Sequence, residues 1–213
     1  MTYTFAIGDI HGCVNQMRRM QDRIMVYAPS GTVVFLGDYI DRGPDSKAVL
    51  DILMGEVPKE WRWIALKGNH EDMMVQAIRD PRLVSWWIGN GGAETLVSFG
   101  GEIPNPVVSW CRRLPSYHID DHRIFVHAGV KDIIPIEHQT DEEFLWLRVP
   151  PHYHGTYWGK HVVHGHTPSI KNPTTFGNRT NVDSGCVFDG RLSCAVFEDG
   201  VPGGPIDFIE VSA

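Results

Sequence analysis

The chain has 213 residues, 42% hydrophobic and 21% charged, with a formal net charge of −7. That profile fits a globular protein of about one domain with a sizeable core. Its acidity is a poor match for bulk nucleic acid or an anionic membrane, so neither is an expected partner, and a phosphate site would need its own local positive charge. No signal-peptide pattern opens the sequence, and no window of about 18 uncharged apolar residues suggests a membrane span. Cys13, Cys111, Cys186 and Cys194 lack C-x-x-C spacing and read as free thiols in a reducing cytoplasm.

In chain order, Tyr3 to Ile7 alternates apolar residues and stops at Gly8-Asp9. Val14, Met17, Met20 and Ile24 then recur at helical spacing. Thr32 to Leu36 is a β-branched run that stops at Gly37-Asp38, and Asp45 and Ser46 are capping candidates for a helix carrying Val49, Ile52 and Leu53. Trp63 to Leu66 predicts a third strand before Gly68-Asn69-His70, followed by a helix from about Glu71 to Arg79 that Pro81 ends. The stretch 82–118 carries Trp86, Trp87 and Trp110 among paired glycines and prolines, and reads as an irregular or helical excursion: a lid, or a surface subdomain with its own small core. Beyond it, Arg123 to Val126, Val162 to Val163, Thr180 to Val182, Leu192 to Phe197 and Ile206 to Ile209 read as strands. Thr140 with Glu143 fits a capping box before a short helix through Leu147. No repeat or linker divides the chain, so residues 1–213 are expected to form one α/β (α+β) unit.

The unusual polar residues cluster at strand ends. Gly8-Asp9-Ile10-His11-Gly12, Gly37-Asp38-Tyr39-Ile40-Asp41-Arg42-Gly43, Gly68-Asn69-His70-Glu71, His127-Ala128-Gly129 and His164-Gly165-His166-Thr167-Pro168 each follow a predicted strand. Ligands of open α/β sheets gather outside the carboxyl ends of strands, so five such segments would converge on one place. Carboxylate, imidazole and amide oxygen together suit borderline divalent metals such as manganese, iron or zinc. Any one segment alone is an ordinary turn; five in sequence are not.

The order G-D-x-H-G, G-D-x-x-D-R-G, G-N-H-E, H-A-G, G-H-T-P resembles the phosphoprotein phosphatase family within the calcineurin-like metallophosphoesterases, and most of all the compact bacterial and bacteriophage serine/threonine phosphatases. The resemblance spans roughly residues 5 to 185. It implies a four-layer α/β/β/α sandwich with mixed sheets and a metal site at the strand C-terminal ends. It implies two divalent ions, manganese first, with iron, zinc and nickel as alternatives. Asp9 and His11 would hold the first ion, Asp38 would bridge, and Asn69, His127 and His166 would complete the second. His70 would be the general acid, oriented by Asp41, and Arg42 would grip the phosphate with Arg148, which matches the family's pattern in Leu145-Trp146-Leu147-Arg148.

The expected activity is hydrolysis of phosphomonoesters by in-line attack of a water shared by two metals. The substrate would be a phosphorylated protein of the serine/threonine type, phosphotyrosine or a small phosphate ester. Symmetric dinucleoside tetraphosphate hydrolases share these motifs and are the alternative, although they carry Trp-Ala where this chain has Thr167-Pro168. A non-catalytic scaffold on the same fold is disfavoured because every motif residue is in place. Specificity is expected in loops 82–118 and 150–159. The oligomeric state is not readable from the sequence.

Overall fold

The computed structural model describes residues 1–150 and 152–213. Pro151, inside the expected 150–159 specificity loop, lies outside the described residues.

The chain folds as two five-stranded mixed sheets packed face to face with helices outside. The first half runs β1 (Tyr3–Ile7), α1 (Val14–Tyr27), β2 (Gly31–Phe35), α2 (Ser46–Leu53), β3 (Trp61–Ala65) and α3 (Asn69–Arg79). The excursion follows as α4 (Val84–Trp87), α5 (Ala93–Ser98) and α6 (Asn105–Arg113). Next come β4 (Tyr117–Ile119), β5 (Arg123–Val126), α7 (Asp141–Trp146) and β6 (His161–His164). The chain closes with β7 (Thr174–Phe176), β8 (Arg179–Asn181), α8 (Cys186–Asp189), β9 (Leu192–Glu198) and β10 (Asp207–Val211). The first sheet has the order β10-β9-β1-β2-β3 and the second β4-β5-β6-β8-β7. Strands β1, β2 and β3 are parallel, as are β5, β6 and β8, while the outer strands pair antiparallel.

Strand alternation explains the layers. Phe5 and Ile7 of β1 and Val33 and Phe35 of β2 face the helices, in one cluster with Met17, Met20, Val49 and Met73. Their neighbours Ala6 and Val34 turn the other way and meet Phe125, Val163, Ala195 and Phe197 between the sheets. Ile124, Val126 and Val162 point outward again, under Phe144 and Tyr157. Period-two side-chain direction therefore feeds three apolar layers from short β-branched runs, which gives the four-layer α/β/β/α sandwich. Small Ala6 and Ala195 leave room for Phe125 and Phe197, whose rings meet edge-on at 6.0 Å between the sheets.

Two local expectations change. Asp45 occupies the N-cap of α2 but makes no side-chain cap bond. Ser46 is drawn inward instead, its Oγ accepting from Asp41 N at 3.1 Å. The excursion has no separate core. Trp87, Ile103, Val107, Cys111 and Leu114 belong to the same apolar cluster as Phe5 and Met73. The Thr140–Glu143 capping box forms as read, with Thr140 N donating to Glu143 Oε2 at 2.8 Å. All four cysteines are free, and among the described residues no helix is long and apolar enough to cross a membrane.

Candidate metal centre

Every strand-end motif reaches one place, where the carboxyl ends of the two sheets meet. Asp9, His11, Asp38, Asn69, His127 and His166 are all buried, none more than 6% exposed. The loops that deliver them are bent against ordinary backbone preference. His11, Asp38, Asp41, Arg42 and His166 have φ of 45°, 54°, 71°, 67° and 64°. Left-handed backbone at a non-glycine residue costs on the order of 1–3 kcal/mol and persists only where the surroundings impose it. At Gly165 the reason for glycine is direct, since a Cβ there would strike the Asp9 carboxylate.

The histidines are turned by carbonyls behind them. His11 Nδ1 lies 2.8 Å from Ile40 O and His127 Nδ1 lies 2.9 Å from Leu36 O, so each Nδ1 donates and each Nε2 keeps its lone pair for the site. Burial pulls the His11 pKa from 6.5 to about 3, pulls His166 to about 3 as well, and lowers His127, which keeps the rings neutral. His127 Nε2 therefore aims a lone pair at Asn69 Oδ1, 2.8 Å away, and at Asp38 Oδ2, 3.4 Å away. Acceptors facing each other at such distances call for a cation between them. His11 Nε2 stands 3.5 Å from the same Asp38 oxygen, and His166 Nδ1 stands 3.0 Å from Asn69 Oδ1.

Asp38 is thus shared by two groups of buried donor atoms, one with His11 and His70, the other with His127 and His166. The carboxylates repeat the message. Asp9 has its pKa raised well above the usual value, first by burial and then by repulsion from Asp183 and Asp38. Cations beside these acids would relieve that repulsion, so the donor set fits two divalent ions. Asp9 stands outside both donor groups, with its two oxygens each 3.2 Å from His166 N.

His70 presents a different geometry. Its Nδ1 donates to Asp41 Oδ2 at 2.7 Å, and its Nε2 points inward, 3.9 Å from Asp38 Oδ2. Burial works against its charge, but Asp38 and Asp41 outweigh burial and raise its pKa. Asp41 is itself fully buried and accepts from Trp87 Nε1 at 2.9 Å and Thr95 Oγ1 at 2.6 Å. The excursion therefore reaches the centre by clamping Asp41. Arg42 and Arg148 are exposed at the rim. Arg42 Nη1 lies 2.8 Å from His11 Nε2, and Arg148 Nη1 donates to Thr167 Oγ1 at 3.4 Å.

Four contributors were not singled out in the sequence as site residues. Glu71 accepts from Asp38 N, Gly68 N and Tyr39 N at 2.8–2.9 Å, tying the β2 loop to the start of α3. Trp87 and Thr95 orient Asp41. Asp183, after β8, accepts from Gly185 N at 2.9 Å and adds to the negative charge around Asp9, and burial pushes its own pKa up to about 7. Its signal was Asn181-Val182-Asp183-Ser184-Gly185, another polar-glycine turn behind a strand. His164 faces away, 3.2 Å from Arg179 Nη1, and His152 and His154 are exposed in the loop.

Residues 3–195 match the calcineurin-like phosphoesterase family model. The chain belongs to this family. It is a metallophosphoesterase, of a family that works with a dinuclear metal centre. Among curated relatives it is 26% identical to the bis(5'-nucleosyl)-tetraphosphatase PrpE [asymmetrical] of Oceanobacillus iheyensis, over 91% of this chain and 88% of that protein. It is 28% identical to the PrpE of Anoxybacillus flavithermus, over 88% and 87%. In fold this phosphoesterase is similar to a candidate diadenosine tetraphosphatase (TM-score 0.69, 24% identity, 99% and 93% coverage). It is also similar to a Saccharomyces cerevisiae serine/threonine phosphatase (TM-score 0.67, 17% identity, 100% and 80% coverage).

Proposed function

We propose that this phosphoesterase hydrolyses dinucleoside tetraphosphates asymmetrically, adding water across one phosphoanhydride to give a nucleoside triphosphate and a nucleoside monophosphate. The observation that carries the chemistry is the shared Asp38 at the centre of two buried donor groups, with two exposed arginines at their rim. The substrate class rests on the likeness to the PrpE tetraphosphatases over nearly the whole length of both chains. This reading is proposed ahead of the protein serine/threonine phosphatase expected from the motif order. It also revises the symmetric alternative, and Thr167-Pro168 in place of Trp-Ala agrees with that revision.

Asp9, His11 and Asp38 would hold one divalent ion, and Asp38, Asn69, His127 and His166 the other. When bound, the ions would activate water and neutralise charge on the phosphoryl oxygens. The remaining work falls to the chain. Arg42 and Arg148 bind phosphate oxygens through planar paired donors. His70 Nε2 holds a proton toward the leaving oxygen, and Asp41 keeps that proton on the ring by fixing Nδ1–H. A phosphomonoesterase reading is kept open by the same geometry, since a phosphoserine oxygen would leave through His70 in the same way.

The test is hydrolysis of diadenosine tetraphosphate by metal-stripped protein with manganese restored stepwise, products separated by anion exchange. Metal-dependent ATP and AMP in equal amounts is the expected result. Two ADP would replace the asymmetric reading with the symmetric one. Turnover of a phosphopeptide without turnover of the dinucleotide would return the protein phosphatase.

A further inference from the structure

Beside the metal centre lies an open recess of 670 Å³, walled by Asp72 and Gln76 of α3, Trp86 of α4, and Asp141, Glu142 and Trp146 of α7. It shares a wall with the centre, because the Trp146 ring meets His166 at 5.9 Å and 81°. The two helices that wall it also carry centre residues. Helix α3 sends His70 inward and Asp72 outward, and α7 ends in Trp146 two residues before Arg148. Trp86 and Trp146 lie nearly parallel, 27° apart with centroids 5.9 Å apart, and Trp86 remains 40% exposed.

We infer that this recess binds a nucleobase of the substrate, resting on the nucleotide reading above. Trp146 stacks against Trp86 and holds it in place, and a large, 40% exposed tryptophan beside the metal centre is suited to stacking an aromatic ring. The volume falls within the range of small-molecule sites. The polar wall is dominated by carboxylates, with the Gln76 amide donating to Asp72 among them. Asp72, Asp141 and Glu142 accept hydrogen bonds and cannot donate, so they select base edges that carry amino groups, as adenine and guanine do. They also repel phosphate, which sets orientation: the polyphosphate turns to Arg42 and Arg148 while the base enters the acidic end.

The test is calorimetric titration of the manganese-loaded protein with AMP, with ribose 5-phosphate, which lacks the base, and with IMP, which has a keto oxygen in place of the amine. AMP should bind at least about tenfold more tightly than ribose 5-phosphate, with IMP in between. Trp86→Ala should weaken AMP roughly 5- to 150-fold, the span that loss of one stacking aromatic gives, and Trp86→Phe should recover part of it. Equal affinity for AMP and ribose 5-phosphate, or an unchanged AMP affinity in Trp86→Ala, would overturn the subsite. Equal binding of IMP and AMP would remove the carboxylates from it. Tighter binding of an arginine-flanked phosphopeptide than of AMP, lost in Trp86→Ala, would give the recess to a peptide. Base-dependent AMP binding without diadenosine tetraphosphate hydrolysis would sink the reaction assigned above and leave the subsite standing; hydrolysis without base discrimination would do the reverse.

Discussion

Replacing Asp41 with asparagine tests whether His70 acts as an acid. The Asp41 carboxylate accepts from His70 Nδ1 at 2.7 Å, Trp87 Nε1 at 2.9 Å and Thr95 Oγ1 at 2.6 Å, and it is fully buried. In Asp41→Asn one of the two terminal atoms becomes a donor, so at least one of these partners faces an N–H. Losing a hydrogen bond to a charged group costs about 1.5–3 kcal/mol. At about 1.4 kcal/mol per factor of ten, that predicts roughly a 10- to 150-fold fall in kcat where leaving-group protonation limits the rate. The loss should grow with the basicity of the leaving group. Aryl phosphates from p-nitrophenyl to phenyl phosphate, assayed at fixed manganese, would show a steeper dependence on leaving-group pKa in the variant. The sign of the pH effect follows too. Asp38 and Asp41 raise the His70 pKa against burial; without the Asp41 charge it falls, and the alkaline limb of activity moves to lower pH. An equal loss across the whole series, with metal content unchanged, would refute the assignment.

Glu71→Gln should lower the melting temperature by roughly 6–12 °C. The side chain accepts from the backbone N–H groups of Asp38, Tyr39 and Gly68, and stranding donors at about 1–3 kcal/mol each costs on the order of 3 kcal/mol at about 2–4 °C per kcal/mol; a shift under about 2 °C by calorimetry would show that the carboxylate is not needed. The metal-free protein should lose stability as pH falls from about 6.5 to about 4. Burial, then Arg123, pulls the His161 pKa from 6.5 to about 4, so the unfolded chain takes up a proton that the folded one resists, a loss on the order of 3 kcal/mol. Urea midpoints at about pH 7.5 and about pH 4.5, with a smaller drop in His161→Gln, check this, and an identical drop would remove His161 from the account.

Much of the centre was legible because its signals are local. A β-branched run stopping at Gly-Asp or Gly-Asn marks a strand end, and parallel strands bring such ends together wherever they lie in the chain. The layers were implied by the resemblance, and the period-two alternation in β1, β2, β5 and β6 now accounts for them. What escaped depends on long-range contacts. Trp87 is defined by a bond to Asp41, 46 residues away, and nothing near it hints at that. Ser46 looked like a cap because a cap needs only local geometry, but Asp41 N claims it. The excursion was opaque because its helices are short, α4 having four residues and α5 six, and Gly91, with φ 103°, sits in a π-turn between them. Helical periodicity needs a longer run to register. The substrate class was not legible because the motifs encode the phosphoryl chemistry, while the walls proposed to receive the organic group come from Trp86, Trp146 and Asp72.

The centre draws Asp9, Asp38 and Asn69 from the first sheet and His127 and His166 from the second. Neither sheet alone holds a complete set for two ions, so bound cations would act as a rivet between halves that also meet through a layer of apolar side chains and a few hydrogen bonds such as His127 Nδ1 to Leu36 O. A rivet of this kind has affinity only for the finished joint. Ions that bind the native state and not the separated sheets add stability in proportion to the logarithm of their concentration. The melting temperature should climb with free manganese, and the two sheets should part in a single transition, which makes metal supply a control on the lifetime of the fold as well as on its chemistry.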